Sequence, residues 1–122
     1  MKIGLDIHGV CDTKKKFFSI FSQRLLENGH IVHIITGSMR TPQIEQRLKQ
    51  IGIKYNYFFS ISDKLIKEGK FTHWSDENNP WFDSKDWDCA KAEYCKDNQI
   101  DIHFDDSDEY VKYFETLYVK VF

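Results

Sequence analysis

The sequence is short of the features that would take it out of the ordinary globular class. No window approaches the run of about 18 apolar residues that a membrane-crossing helix needs. The first ten residues, MKIGLDIHGV, lack the apolar stretch and cleavage pattern of a secretory signal, so the expected location is cytoplasmic. Cysteine is scarce and odd in number: Cys11, Cys89 and Cys95 stand at spacings that match no zinc motif and build no disulfide framework, which points to free thiols. Internal repeats, low-complexity tracts and linkers are missing. So is any excess of positive charge, since 17 Lys and Arg face 19 Asp and Glu for a formal net charge of −2. That balance excludes a protein that holds nucleic acid chiefly through counterion release over a strong basic surface.

What is present is enough for a core. The chain has 122 residues, a length near that of one domain, and 41% of them are hydrophobic and 16% aromatic, which excludes disorder for most of it. A single domain over residues 1–122 is expected. Charge is unevenly spread: residues 1–70 hold 12 basic and 6 acidic groups, whereas residues 71–109 hold 3 basic and 12 acidic. Crowded acids repel one another unless solvent or a cation separates them, so the second half already hints at a hard-cation site.

Apolar runs at Lys2 to Ile7 (KIGLDI) and Ile31 to Ile35 (IVHII) predict buried strands. Between them Phe17, Phe18, Phe21, Leu25 and Leu26 fall at helical spacing, and Asn28-Gly29 closes the segment. A second helix is expected from Thr41-Pro42 through Ile44, Leu48 and Ile51 to Gly52, followed by a strand at Tyr55 to Ile61. Glu68 to Asp88 carries His73, Trp74, Pro80, Trp81, Phe82 and Trp87 with no sustained period, and predicts a long irregular insertion preceded by a short helix at Asp63 to Lys67. A helix from Asp88 to Asn98, a strand at Ile100 to Phe104, a short helix from Asp108 to Glu115 and a strand at Leu117 to Phe122 complete the pattern. Strands alternating with helices imply an α/β, three-layer, Rossmann-like open sheet of five parallel strands with helices on both faces.

In such sheets ligands bind beyond the carboxyl ends of the strands, where the strand order reverses. Asp6 ends the first strand, and Asp105, Asp106 and Asp108 lie at or just past the end of the strand at Ile100 to Phe104. If those two strands are neighbours, the acids form one cluster suited to magnesium, which takes carboxylate, carbonyl and water oxygens and is usually shared with a substrate phosphate. The competing role for Asp105 to Asp108 is to cap the following helix.

Four features in order carry more weight than any one. Asp6 in LDIHGV, Thr36 in IITGS, Lys91 in CAKAEYC, fourteen positions before Asp105, and Asp105-Asp106 in IHFDDS together resemble the four motifs of the haloacid dehalogenase-like (HAD) phosphohydrolase superfamily. The resemblance spans about residues 2–109. It implies that Asp6 is a nucleophile forming an aspartyl-phosphate, and that its carboxylate and the backbone carbonyl of His8 bind Mg2+. Thr36 and the N–H groups from Gly37 onward would bind a phosphate oxygen, Lys91 would neutralise Asp6 and the phosphoryl group, and Asp105 and Asp106 would hold the metal. Asp108 or Glu109 would hold its waters.

His8 departs from the pattern, since the phosphatases of this superfamily usually carry a second Asp there to protonate the leaving oxygen. Histidine can do both proton transfers, with an ordinary pKa of about 6.5. The implied activity is a magnesium-dependent phosphomonoesterase acting on a phosphorylated small molecule, a nucleotide or a phosphorylated nucleic-acid end. The alternative is a phosphate- or nucleotide-binding member with weak or no turnover. An unrelated receiver-like module is disfavoured because the third strand, ending FFSIS, offers no Asp to accept phosphate. His30, His33 and His103 alternate with apolar residues and read as structural, while Lys85 and Lys96 fit the motif spacing less well than Lys91. The aromatics of 68–88 either stack on a nucleobase or staple the insertion to the body of the domain. The loop Gly9 to Lys16 is too short for a separate cap, so the site is expected to be open, admitting large substrates, or small ones if a homo-oligomer covers it.

Overall fold

A computed structural model describes residues 1–76 and 79–122. The strands β1 (Lys2–Leu5), β2 (Ile31–Thr36) and β3 (Tyr57–Ser60) alternate with the helices α1 (Lys15–Glu27), α2 (Pro42–Ile51) and α3 (Ile61–Lys67). Then come a hairpin of β4 (Phe71–Asp76) and β5 (Asn79–Phe82), helix α4 (Ser84–Asp97), and strands β6 (Ile102–Asp105) and β7 (Leu117–Lys120). The main sheet has the order β3-β2-β1-β6-β7 and every pairing in it is parallel, as the alternation of elements requires.

Alternation along the central strands sorts the core. Ile3, Leu5, Val32 and Ile34 point to one face, where they pack with Phe18 and Leu25 of α1 and Leu48 of α2. Ile35 faces the other way, with Cys95 of α4 and Ile100, and Ile61 and Leu65 of α3 pack with Ala90 of α4. The helices therefore cover both faces. Each fully buried Val, Leu or Ile contributes about 1.5–3 kcal/mol relative to an exposed one. Local signals set the helix ends. Thr41 caps α2 by accepting the Ile44 N–H at 3.2 Å, Pro42 occupies its first turn, and Gly52 ends it at φ 91°, a left-handed angle that side chains resist.

Three expectations are corrected. The stretch 68–88 is not irregular throughout: β4 and β5 pair antiparallel, with register shifts between Phe71 and His73 and between Trp74 and Asp76 that break the regular alternation. Residues 77 and 78 lie outside the described residues. Helix α4 starts at Ser84, not Asp88, because the Asp83 carboxylate accepts the Lys85 and Asp86 N–H groups at 3.0 and 3.4 Å. The expected helix from Asp108 to Glu115 is only a 3-10 turn at Val111–Tyr113, for which no side chain supplies a cap. The hairpin aromatics divide: Phe82 stacks on Trp87 at 5.4 Å and joins the body of the domain, whereas Phe71, Trp74 and Trp81 stay exposed. Among the described residues no helix is long and apolar enough to cross a membrane.

Candidate active site

The strand order turns back between β1 and β6, which are neighbours in register with Leu5 opposite Phe104. The next residue on each strand is therefore an acid, Asp6 and Asp105, and the Asp6 N–H donates to the Phe104 carbonyl at 3.0 Å to hold the two ends together. A cleft of about 480 Å³ opens above them. It lies at the carboxyl end of the sheet, where the sequence places the chemistry.

Lys91 reaches this point from α4. Its ammonium, almost wholly buried, donates to Asp105 Oδ2 at 2.7 Å and lies 3.2 Å from Asp6 Oδ2. One cation thus serves two buried carboxylates. The exposed Asp106 brings a third, and one oxygen from each of Asp6, Asp105 and Asp106 falls within 4.8 Å of the others. The charge is unbalanced in favour of the acids, a condition that a hard divalent cation relieves.

The two buried carboxyls respond differently. Burial pushes Asp6 up to about 7; Lys91 opposes the shift, and the neighbouring Asp105 adds to it. Burial also acts to raise Asp105, but the hydrogen bond from His103 and the Lys91 ammonium outweigh it and hold the group well below the usual carboxylate range. Desolvation works against the charge on Lys91, yet Asp6 and Asp105 more than compensate and raise its pKa. Asp105 is thus the permanent anion and Asp6 the one whose charge depends on its surroundings.

The loop after β1 is a tight turn over Ile7–Cys11, in which His8 is extended and Gly9 takes φ 78°. The Asp6 Oδ1 accepts the Ile7 N–H at 2.8 Å and the Asp12 Oδ1 accepts the Gly9 N–H at 2.8 Å, so the turn is clamped at both ends. A Cβ on Gly9 would lie 2.1 Å from the Asp106 carboxylate, which leaves glycine as the residue that fits. The half-exposed His8 ring stands over the cleft mouth, its Nδ1 3.1 Å from Asp12 Oδ2 and its Nε2 2.9 Å from Ser38 Oγ.

Thr36 ends β2, fully buried, and its Oγ1 accepts the Ser38 N–H at 3.3 Å. The Gly37 carbonyl accepts from the Ser62 hydroxyl at 2.6 Å and from the Ser62 N–H at 3.3 Å, which fixes the loop from below. Trp87 closes it from the side: a Cβ on Gly37 would meet the indole at 2.7 Å. The Trp87 Nε1–H donates to Tyr110 Oη at 2.9 Å, and the Tyr110 ring lies 5.1 Å from the Lys91 ammonium.

Asp6, His8, Thr36, Gly37, Lys91, Asp105 and Asp106, all expected from the sequence, line one cleft. Asp108 instead pairs with Lys120 at 2.6 Å, and neither it nor Glu109 is among the described residues that line the cleft. Sequence reasoning missed Ser38, Ser62 and Tyr110, and named Trp87 only among the aromatics of 68–88. Trp87 had a readable signal, since it precedes Lys91 by one helical turn and shares its face. His103 was read as structural, yet its Nε2 lies 2.9 Å from Asp105 Oδ2. By contrast, His33 bonds the Tyr94 hydroxyl and His30 the terminal amine, both away from the cleft. Compared with protein-family models, curated proteins and solved structures, the chain matches none.

Proposed function

We propose that this cleft hydrolyses phosphate monoesters with magnesium bound, by way of an aspartyl-phosphate on Asp6, the activity implied by the resemblance to the HAD-like superfamily. The observation that carries the reading is the meeting of Asp6 and Asp105 on one buried ammonium at the reversal of the strand order, with an Asp106 oxygen within 4.8 Å of theirs. The donor set fits magnesium, which Asp6, Asp105, Asp106 and the His8 carbonyl would hold. Bound there, the ion would screen the substrate phosphate from the carboxylates and draw charge from its oxygens.

The side chains divide the remaining work. The Asp6 carboxylate attacks phosphorus, the bond to the leaving oxygen breaks, and the leaving oxygen takes a proton from His8. Water then attacks the acyl-phosphate and gives its proton to His8, releasing inorganic phosphate and restoring Asp6. Thr36 and the N–H groups of the following loop hold phosphate oxygens, and Lys91 neutralises Asp6 and the phosphoryl group. The open cleft suits a nucleotide or a phosphorylated nucleic-acid end as well as a smaller ester.

A second reading, a phosphate- or nucleotide-binding protein with little turnover, is favoured by one observation: both nitrogens of His8 are engaged, by Asp12 and by Ser38. A screen of phosphate esters with and without magnesium separates the two. Hydrolysis that needs magnesium and disappears in Asp6→Asn is expected, with beryllium fluoride binding the native protein and not the variant. Phosphate binding without turnover supports the second reading, and turnover that survives Asp6→Asn rules out the covalent route.

A further inference from the structure

The imidazole of His103 is fully buried, and its one hydrogen bond among the described residues goes to Asp105. A carboxylate only accepts, so Nε2 carries the hydrogen and donates it at 2.9 Å. Among the described residues Nδ1 makes no hydrogen bond. Leaving a buried polar atom unpaired carries a desolvation penalty that an apolar residue at this strand position would avoid. The surroundings are nevertheless shaped for the ring. It lies parallel to Phe114 at 5.3 Å, meets the edge of Tyr118 at 5.8 Å, and leans across β1 at Gly4, where a Cβ would come within 2.7 Å of Nδ1.

The consequence falls on Asp105. Its Oδ2 accepts from Lys91 at 2.7 Å and from His103 at 2.9 Å, while Oδ1, among the described residues, accepts only the Ser107 N–H at 3.1 Å. An ionised carboxylate has about four lone-pair sites. Both on Oδ2 are taken, and one remains, on Oδ1. We infer that His103 is a positioning residue for the cation site: it locks Asp105 so that Oδ2 stays with the protein and Oδ1 alone is offered to a cation. This rests on the proposed magnesium site, to which it adds a neutral donor behind the ligand. Such outer partners of metal ligands typically change metal affinity by about 10- to 100-fold when removed.

Calorimetric titration of the protein with magnesium, in the absence of substrate, tests the assignment on three variants. His103→Leu deletes the donor, His103→Asn keeps an amide one bond too short to reach, and His103→Gln places its amide nitrogen near the position of Nε2. Magnesium affinity is expected to fall by about 10- to 100-fold in His103→Leu and His103→Asn. His103→Gln should recover most of it. Asn carries the test by itself if the Leu variant does not fold, because it keeps the polarity of the site while losing the reach. Native binding with no loss in His103→Asn, or equal losses in His103→Asn and His103→Gln, overturns the role of His103 alone. No magnesium binding by the native protein overturns the cation site and this inference together.

Discussion

The two faces of the sheet are built on different terms. Against α1 and α2 the buried residues of the central strands are Ile3, Leu5, Val32 and Ile34, an apolar layer with no charged side chain among the described residues of its core. Against α3 and α4 the same strands present Gly4, His33, His103 and Asp105, and α4 answers with Lys91. Strand alternation alone makes this division possible, since neighbours along one strand serve opposite layers. One face supplies most of the burial energy. The other spends part of it holding ionisable groups out of water. A fold that confines its costly groups to one layer can tolerate them because the opposite layer carries none.

Substitutions on each face sharpen that contrast, and the largest effect is expected at Lys91. Lys91→Met leaves two buried carboxylates without a counter-charge, so the metal-free protein should lose about 3–5 kcal/mol, the usual result of removing one member of a buried ion pair. Magnesium should restore part of this, because it replaces the missing positive charge. Val32→Ala, on the apolar face, should cost about 2–4 kcal/mol through the cavity it leaves, with the same loss in EDTA and in magnesium. Denaturant melts of both variants under both conditions decide the matter. Equal responses to magnesium would break the distinction between the faces.

The next effect concerns rate. His8→Ala should slow single-turnover dephosphorylation of an ester with a poor leaving group by about 10²- to 10⁴-fold, and should slow an activated aryl phosphate much less. His8→Asp should restore the native rate. Equal losses with both substrates would mean that His8 transfers no proton to the leaving oxygen.

A smaller effect follows from the raised carboxyl of Asp6. Folded, this group keeps its proton up to about pH 7, whereas in the unfolded chain it has lost it near the ordinary carboxylate value. Between those two points the unfolded state binds fewer protons, so metal-free stability should decline as pH rises from about 4 to about 7. Asp105 works in the opposite sense: its contribution is complete above the ordinary value and is lost as pH falls below it. Melting temperatures in EDTA across this range should therefore fall more steeply for the native protein than for Asp6→Asn. Magnesium should flatten the native curve. Parallel curves in EDTA would show that Asp6 is not held neutral.

The same division explains what the sequence could and could not disclose. Apolar runs, the Thr41-Pro42 start and the Gly52 stop are local signals, and they delivered the main sheet and α2 with small errors at the ends. Asp6 and Asp105 were legible because strand ends in parallel sheets are where ligands bind, and Thr36 and Lys91 because the order and spacing of four motifs singled them out. The hairpin was not, because its bulged register hides the alternation that identifies a strand. Asp83 as a cap was lost in a run of acids. His103 was hardest of all, since a histidine between isoleucine and phenylalanine looks like filler until Asp105, two residues on, is seen to turn back beneath Lys91. The partners of His8, Asp12 and Ser38, show the same limit: one lies on the same turn and the other thirty residues away.

The packing of Trp87 gives the molecule a built-in optical probe. Its indole touches Phe82 of the hairpin, the Gly37 loop and Tyr110 past β6, and so samples two walls of the cleft and the hairpin beside it at once. Trp74 and Trp81 are 40% and 56% exposed, so a soluble quencher such as iodide silences their emission first. The light that survives comes from the cleft wall. Any ligand that shifts the loop at Gly37 or breaks the bond to Tyr110 will then announce itself as a change in colour or intensity, without a label and before any chemistry occurs.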